Sequence, residues 1–462
     1  MTTSAEPRSA FPPGFLWGAA TSSCQIEGSP LADGAGASNW HRFAHSPGRI
    51  RNGDTPDVAC DHYRRWRDDV ALMRALGLKA YRFSIAWARV MPEGRGRVNE
   101  RGLAFYDRLV DALLEAGITP FVTLFHWDLP AALDDRGGWL NPEIARWFAD
   151  YARVAFERLD DRVPWWATLN EPWVVMDGGY QFGVHAPGHA SPFEAAIAAQ
   201  HLLWAHGEAV RVYREIGRHA IGLVVNLEPK DPASDSEQDR AAAALSDAYM
   251  NRQFLDPVFF GAFPEELARM YGEAWRRPSD ATLRAAAEPI DFLGVNYYTR
   301  GVMRAAPERK PLGFAKTPAP ENNRTETGWE IDPKSFTRVL RWVRERYGEL
   351  PILVTENGAA MPDPPRIDAP VLDDPRRVDY LRSHVAAVAD AIASGVDLRG
   401  YFVWSLLDNF EWAEGFSKRF GIVHVDFDTQ QRTLKRSAEW YRELIATNGA
   451  AIAGARASAA PR

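Results

Sequence analysis

Residues 165–175 read WWATLNEPWVV, an apolar and aromatic run that stops on Asn170, Glu171 and Pro172. Proline has no N–H to give a sheet ladder, and glutamate is rarely buried without a partner, so a strand here ends with a carboxylate at its tip. Seven similar runs recur: FLWGAAT from Phe15, KAYRFSI from Lys79, ITPFVTLF from Ile118, AIGLVVN from Ala220, IDFLGVN from Ile290, PILVT from Pro351 and GYFVWSL from Gly400. With VPWWATL from Val163 they make eight strand candidates.

Between them lie segments of helical period, at about 61–76, 102–116, 142–159, 191–216, 236–255, 333–347, 375–394 and, after the last strand, 435–447. Four open on a polar cap followed by proline, at Asn141-Pro142, Ser191-Pro192, Asp332-Pro333 and Asp374-Pro375. Eight strands each followed by a helix predict an α/β fold, a single closed parallel (β/α)₈ TIM barrel with its active site at the C-terminal ends of the strands. A doubly wound open sheet wants a glycine-rich phosphate loop after its first strand, and GAATSSCQIEG supplies none. The catalytic domain is expected over 11–448, between a flexible N-terminal segment, 1–10, and a flexible Ala-rich tail, 449–462.

Composition narrows the partners. The 462 residues carry a formal charge of −7 without a basic run, which disfavours nucleic acid and anionic membrane and favours a small neutral substrate. Neither a basic-then-apolar leader nor a membrane-length apolar stretch is found, so the expected location is cytoplasmic. Cys24 and Cys60 are the only cysteines and read as reduced thiols. His185 and His189 sit four apart in a Gly/Pro loop rather than on a helix, and no metal or other cofactor is expected. The sequence carries no signal for an oligomeric state.

The strand ends deliver polar groups where packing alone asks for Val or Leu. They are Gln25; Arg82; His126, Trp127 and Asp128; Asn170 and Glu171; Asn226; Asn296 and Tyr298; Glu356 and Asn357; and Trp404, leading to Glu411 and Trp412. Glu171 and Glu356 each terminate a core strand. Paired carboxylates across a barrel mouth are the equipment of glycoside hydrolysis, in which one protonates the departing oxygen and the other attacks the sugar carbon or activates water. The acid must stay protonated and its partner ionised, and Arg82 is the cation expected to hold Glu356 ionised. Asn170 is a candidate donor to a sugar hydroxyl. Of the 17 Trp, Trp127, Trp173, Trp404 and Trp412 neighbour these groups and are expected to face sugar C–H surfaces.

FLWGAATSSCQIEG, YRFSIAW, HWDLP, TLNEP, GVHAPG, NYYTR, VTENG and WSLLDNFEW occur in this order, and on them the chain, from about Phe11 to Thr447, closely resembles glycoside hydrolase family one, the β-glucosidase family. The resemblance implies a retaining double displacement with Glu356 as nucleophile and Glu171 as acid/base, their carboxyl groups about 5–5.5 Å apart. It implies that Gln25, His126, Asn170, Glu411 and Trp412 hold the non-reducing sugar above Trp404. Tyr298 and Arg82 would position the nucleophile, Asn296 would support that end, and Trp173 and Trp329 would line the aglycone entrance.

The implied activity is that of an exo-β-glucosidase on cellobiose and on aryl and alkyl β-glucosides, within cellulose and oligosaccharide breakdown, with β-galactosidase and β-fucosidase side activity. A transglycosylase, a 6-phospho-β-glucosidase and a non-catalytic sugar-binding relative are the alternatives. Against the phosphorylated substrates, Glu411 stands where such relatives carry serine, and Phe420 replaces their tyrosine, although Lys418 is present. Glu171, in place of glutamine, argues against thioglucosidase activity. Cys24 departs from the aromatic usual at its position.

Overall fold

The computed structural model describes residues 10–364 and 366–450. Apart from Ala10, Gly449 and Ala450, the expected terminal segments lie outside the described residues. Eight parallel strands close into a barrel: β1 Leu16–Ala20, β2 Ala80–Ser84, β3 Thr119–Phe125, β4 Trp165–Asn170, β5 Ala220–Asn226, β6 Phe292–Asn296, β7 Ile352–Asn357 and β8 Leu398–Trp404. Each pairs with its neighbours in chain order, and β8 closes on β1.

Each strand is covered by helix outside and side chains inside, which explains why it reads as a near-continuous apolar run. The principal helices are α1 His62–Ala75, α2 Glu100–Glu115, α3 Ile144–Leu159, α4 Pro192–Ile216, α5 Glu237–Asp247, α6 Pro333–Tyr347, α7 Pro375–Ala393 and α8 Arg436–Ala446. Ser191, Ser236 and Asp332 cap α4, α5 and α6 through side-chain oxygens that accept a backbone N–H, each satisfying one otherwise orphaned donor. At Asn141-Pro142 the expected start is corrected. Asn141 Oδ1 accepts the Glu143 N–H in a turn, and α3 begins at Ile144. Asp374 does not cap its own helix either, because its carboxylate binds Arg377 and the Ser437 N–H and hydroxyl.

The barrel floor is an apolar plug made of Ala20, Ala80, Phe121, Ala167, Val224, Phe292, Leu353 and Phe402. Phe121 meets Phe292 and Phe402 edge to face, each at 5.6 Å. The plug keeps the interior solid below the level of the functional groups and leaves the mouth as the only place on the barrel axis for a ligand. Among the described residues no helix is long and apolar enough to cross a membrane.

Candidate active site

The pairing register lifts Asn226, Asn296 and Glu356 to one level, since Asn226 is opposite Asn296 and Asn296 opposite Glu356. Arg82, opposite Ala20 on β1, is fully buried and reaches across the barrel. Its Nη1 donates to Glu356 Oε1 at 2.6 Å, its Nη2 to Asn170 Oδ1 at 2.6 Å and its Nε to Thr123 Oγ1 at 3.1 Å. The Tyr298 hydroxyl donates to Glu356 Oε2 at 2.6 Å, so each nucleophile-candidate oxygen has a strong donor.

Glu171 has a different environment. Asn296 Nδ2 donates to Glu171 Oε1 at 2.7 Å, and among the described residues no cation pairs with that carboxyl. Thr355 Oγ1 fixes the same amide by donating to Asn296 Oδ1 at 2.6 Å, and the amide also favours the charge of Glu356. One short side chain therefore stands against both carboxyls. Glu171 has φ +47°, in the left-handed region that non-glycine residues avoid, and its N–H donates to Val224 O at 2.9 Å. Trp127 and Trp412 share the feature, at φ +81° and +51°. At these three positions the strained backbone sets the direction of a side chain at the barrel mouth.

The electrostatics separate the two carboxyls. Burial, and then the charge of Glu356, push Glu171 well above the usual carboxylate range. Burial also raises Glu356, but Arg82 and Tyr298 pull back in favour of its ionised form. Glu411 is pushed up to about 8 by burial and by Glu356, with Gln25 opposing. Glu171 and Glu411 are thus both raised by the charge of Glu356, and the negative charge settles on Glu356, which the Arg82 guanidinium contacts.

Most of the remaining predicted groups come together on both sides of this pair, whereas Asp128 accepts from Ser23 and Asn357 is bound by Tyr297 O and the hydroxyls of Tyr380 and Tyr401, so both turn away. Gln25 Nε2 lies 3.3 Å from Glu411 Oε2 and also donates to Phe410 O and Asn409 Oδ1, while Ser22 Oγ holds Gln25 Oε1. Asn170 Nδ2 lies 3.1 Å from His126 Nε2. An amide N–H can only donate, so Nε2 is the acceptor and Nδ1 carries the proton of a ring that burial and Arg82 keep neutral. Among the described residues His126 Nδ1 has no hydrogen-bond partner. The His126 ring stacks near Trp404 and Trp412, at 5.7 and 5.9 Å, and Trp127 meets Trp412 at 4.4 Å.

Above them opens a cleft of about 780 Å³ whose walls include Trp127, Glu171, Trp173, Tyr298, Trp329 and Glu411. Trp329 packs on Tyr298 at 5.1 Å, and both rings touch Phe420. Lys418 also lines the cleft, with its Nζ donating to Glu326 O at 3.0 Å.

Four supporting residues escaped the sequence reading. Thr123 and Thr355 are buried strand residues of ordinary β propensity, and nothing local reveals that their hydroxyls hold Arg82 and Asn296. Asn409 lies within WSLLDNFEW, a signal present but not resolved to the residue. His185, read above only as one of two histidines in a loop, stacks against Trp127 at 5.8 Å, while His189 turns away to Glu194.

The environment of Glu171 predicts a stability change. A carboxyl whose folded-state pKa is raised contributes most to stability below its unfolded pKa and loses that contribution as pH rises. Glu171→Gln, which keeps an oxygen for Asn296, should therefore raise Tm at pH 7 by about 1–3 °C, with the gain vanishing near pH 4. Thermal melts at the two pH values check this, and an equal or opposite shift at both contradicts the assigned environment.

The family model for glycosyl hydrolase family 1 matches residues 7–450. β-Glucosidase A of Thermotoga maritima is 50% identical over 442 residues, 95% of this chain and 98% of its own. A bifunctional β-D-glucosidase/β-D-fucosidase of Bifidobacterium breve is 42% identical, covering 95% of this chain and 99% of its own. Among solved structures, the T. maritima β-glucosidase in complex with glucoimidazole superposes with a TM-score of 0.91 at 50% identity, over 95% of this chain and 99% of that one. A barrel with two buried carboxyls at its mouth, a match across nearly its whole length and half its residues in common with such a relative place the chain in glycosyl hydrolase family 1.

Proposed function

We propose that the protein is a retaining exo-β-glucosidase that removes terminal non-reducing β-D-glucosyl residues. The observation that carries the reading is the unequal environment of Glu171 and Glu356 around a shared Asn296 amide. Glu356 Oε attacks the anomeric carbon while the Glu171 proton passes to the departing glycosidic oxygen, so the C–O bond breaks as an ester to Glu356 forms. The ester removes the Glu356 charge that had raised Glu171. Glu171, now a carboxylate, takes a proton from water, and the water oxygen displaces Glu356 from the opposite face. Two inversions return the β-anomer.

In this proposal Gln25, Asn170, Glu411 and Trp412 hold the glycone. His126 Nδ1–H, which has no hydrogen-bond partner among the described residues, donates to one of its hydroxyls, and Trp404 lies beneath. Trp173 and Trp329 face the leaving group at the entrance. A glycone site closed by Gln25 and Glu411 supports exo action on cellobiose, short oligosaccharides and aryl or alkyl glucosides, and hence a part in cellulose breakdown. Glu411 accepts from hydroxyls without rejecting the 4-epimer, and the likeness to the bifunctional β-D-glucosidase/β-D-fucosidase supports parallel side activity. A carboxyl at 411 disfavours a phosphate dianion. Two free thiols, Cys24 and Cys60, support a reducing, cytoplasmic setting.

Proton NMR of an aryl β-D-glucoside during the first minutes of hydrolysis tests the reading. β-Glucose should appear before mutarotation brings in the α-anomer. Initial α-glucose would mean an inverting site and a different role for Glu356.

A further inference from the structure

Away from the catalytic groups, the short helix Asn39–Ala44 faces the loop that carries Asp57. His41 and His45 stand one turn apart on it, their ring centroids 4.4 Å from each other. His45 Nε2 lies 3.0 Å from Asp57 Oδ2, and His41 Nε2 lies 3.7 Å from Asp57 Oδ1. His45 Nδ1 is 2.7 Å from the His41 carbonyl oxygen, which can only accept, so Nδ1 keeps a proton, and Nε2 faces the Asp57 carboxylate through a second proton, which Asp57 favours, or through a metal ion that takes that proton's place. Among the described residues Asp57 Oδ1 has no hydrogen-bond partner, His41 Nε2 being 3.7 Å away. Two imidazole nitrogens and a carboxylate oxygen within 4.8 Å of one another ask for a positive centre between them.

We propose that His41, His45 and Asp57 bind one divalent transition-metal ion of the zinc type. The spacing suits it: ligand bonds of about 2.0–2.1 Å in tetrahedral geometry set edges of about 3.4 Å, which the two observed separations bracket. The His45 Nδ1 contact is the outer hydrogen bond that fixes the tautomer of a metal-ligating histidine. Imidazole with carboxylate selects zinc, nickel or copper over magnesium and calcium, which demand oxygen. His45 and Asp57 are each 43% exposed, which gives the ion a way in and leaves room for a water ligand.

The other Asp/His group, Asp363, Asp408 and His424, does not compete. Lys435 Nζ, 2.8 Å from Asp408 Oδ1, and Arg419 already supply its positive charge. The proposed site, by contrast, ties together two segments that back the sugar pocket. Trp40, beside His41, packs on Trp412 at 4.5 Å, and Asp54, three residues before Asp57, accepts the Phe416 N–H at 2.8 Å.

The test is calorimetric titration of the chelator-treated full-length enzyme with Zn²⁺, alongside melts with and without the metal. One equivalent should bind and raise Tm, and Mg²⁺ and Ca²⁺ should give no heat. H41A/H45A should lose both the equivalent and the Tm rise while keeping the metal-free Tm and the glucosidase activity. Asp57→Asn should weaken binding at least about tenfold. Absence of Zn²⁺ binding to the parent enzyme, or an equivalent that survives in H41A/H45A, overturns the proposal.

Discussion

Glu356→Ala should lose at least about 10⁴-fold in turnover of aryl β-glucosides while keeping its fold, because no other group can form the glycosyl ester. Arg82 keeps neutral acceptors for its other N–H groups in Asn170 Oδ1 and Thr123 Oγ1. Its counter-charge passes to Glu171, which the charge of Glu356 no longer holds protonated and which Arg82 favours in its ionised form. Burial already works against the charge of Glu356, so its removal also takes away a penalty. Circular dichroism and Tm should therefore stay near the parent's. A rate within tenfold of the parent's would strip Glu356 of the nucleophile role. A collapsed Tm would mean that the residue is needed mainly to neutralise Arg82.

How far these residues could be read from the chain depended on how local the determining physics is. All eight barrel strands coincide with the apolar runs, although β4 and β7 run on to Asn170 and Asn357 and β8 starts earlier, at Leu398, and α6 spans the expected 333–347, because both depend on periodicity and a cap. The three-stranded sheet of Lys230–Pro232, Gly301–Ala305 and Phe314–Lys316 was not legible. Its outer strands have three residues each, too few for an alternation to stand out, and the first is fixed by pairing with a strand that begins at Gly301. The Val423–Val425 and Arg432–Leu434 hairpin is local but equally short. The expected helix over 236–255 is broken by a π-helical turn at Ala248–Arg252 and resumes to Phe260, where Asn251 reaches back to Glu228 O. Glu171, Glu356 and Arg82 were legible because a charge at the end of an apolar strand is costly wherever it occurs. Thr355 was not, because its hydroxyl serves Asn296 on the neighbouring strand.

Glu171→Ala tests the other half of the mechanism and separates it from every inverting alternative. Without the proton of Glu171, glycosides with poor leaving groups should slow by about 10²–10⁴-fold, while a dinitrophenyl glucoside, whose leaving group needs no protonation, should still form the ester quickly. Hydrolysis of that ester should then limit turnover, because no carboxylate remains to deprotonate water. Azide is a nucleophile that needs no base, and removal of the side chain clears space and a repelling charge beside the ester. Added azide should therefore restore turnover of the dinitrophenyl substrate and yield β-glucosyl azide, attack having come from the face opposite Glu356. In Glu356→Ala the same anion should take the place of the missing carboxylate and give the α-azide. The two variants thus report opposite faces of one anomeric carbon. Retention from the first and inversion from the second follow only if Glu171 and Glu356 stand on opposite sides of the bond. An α-azide from Glu171→Ala would break the double displacement even if both variants were slow.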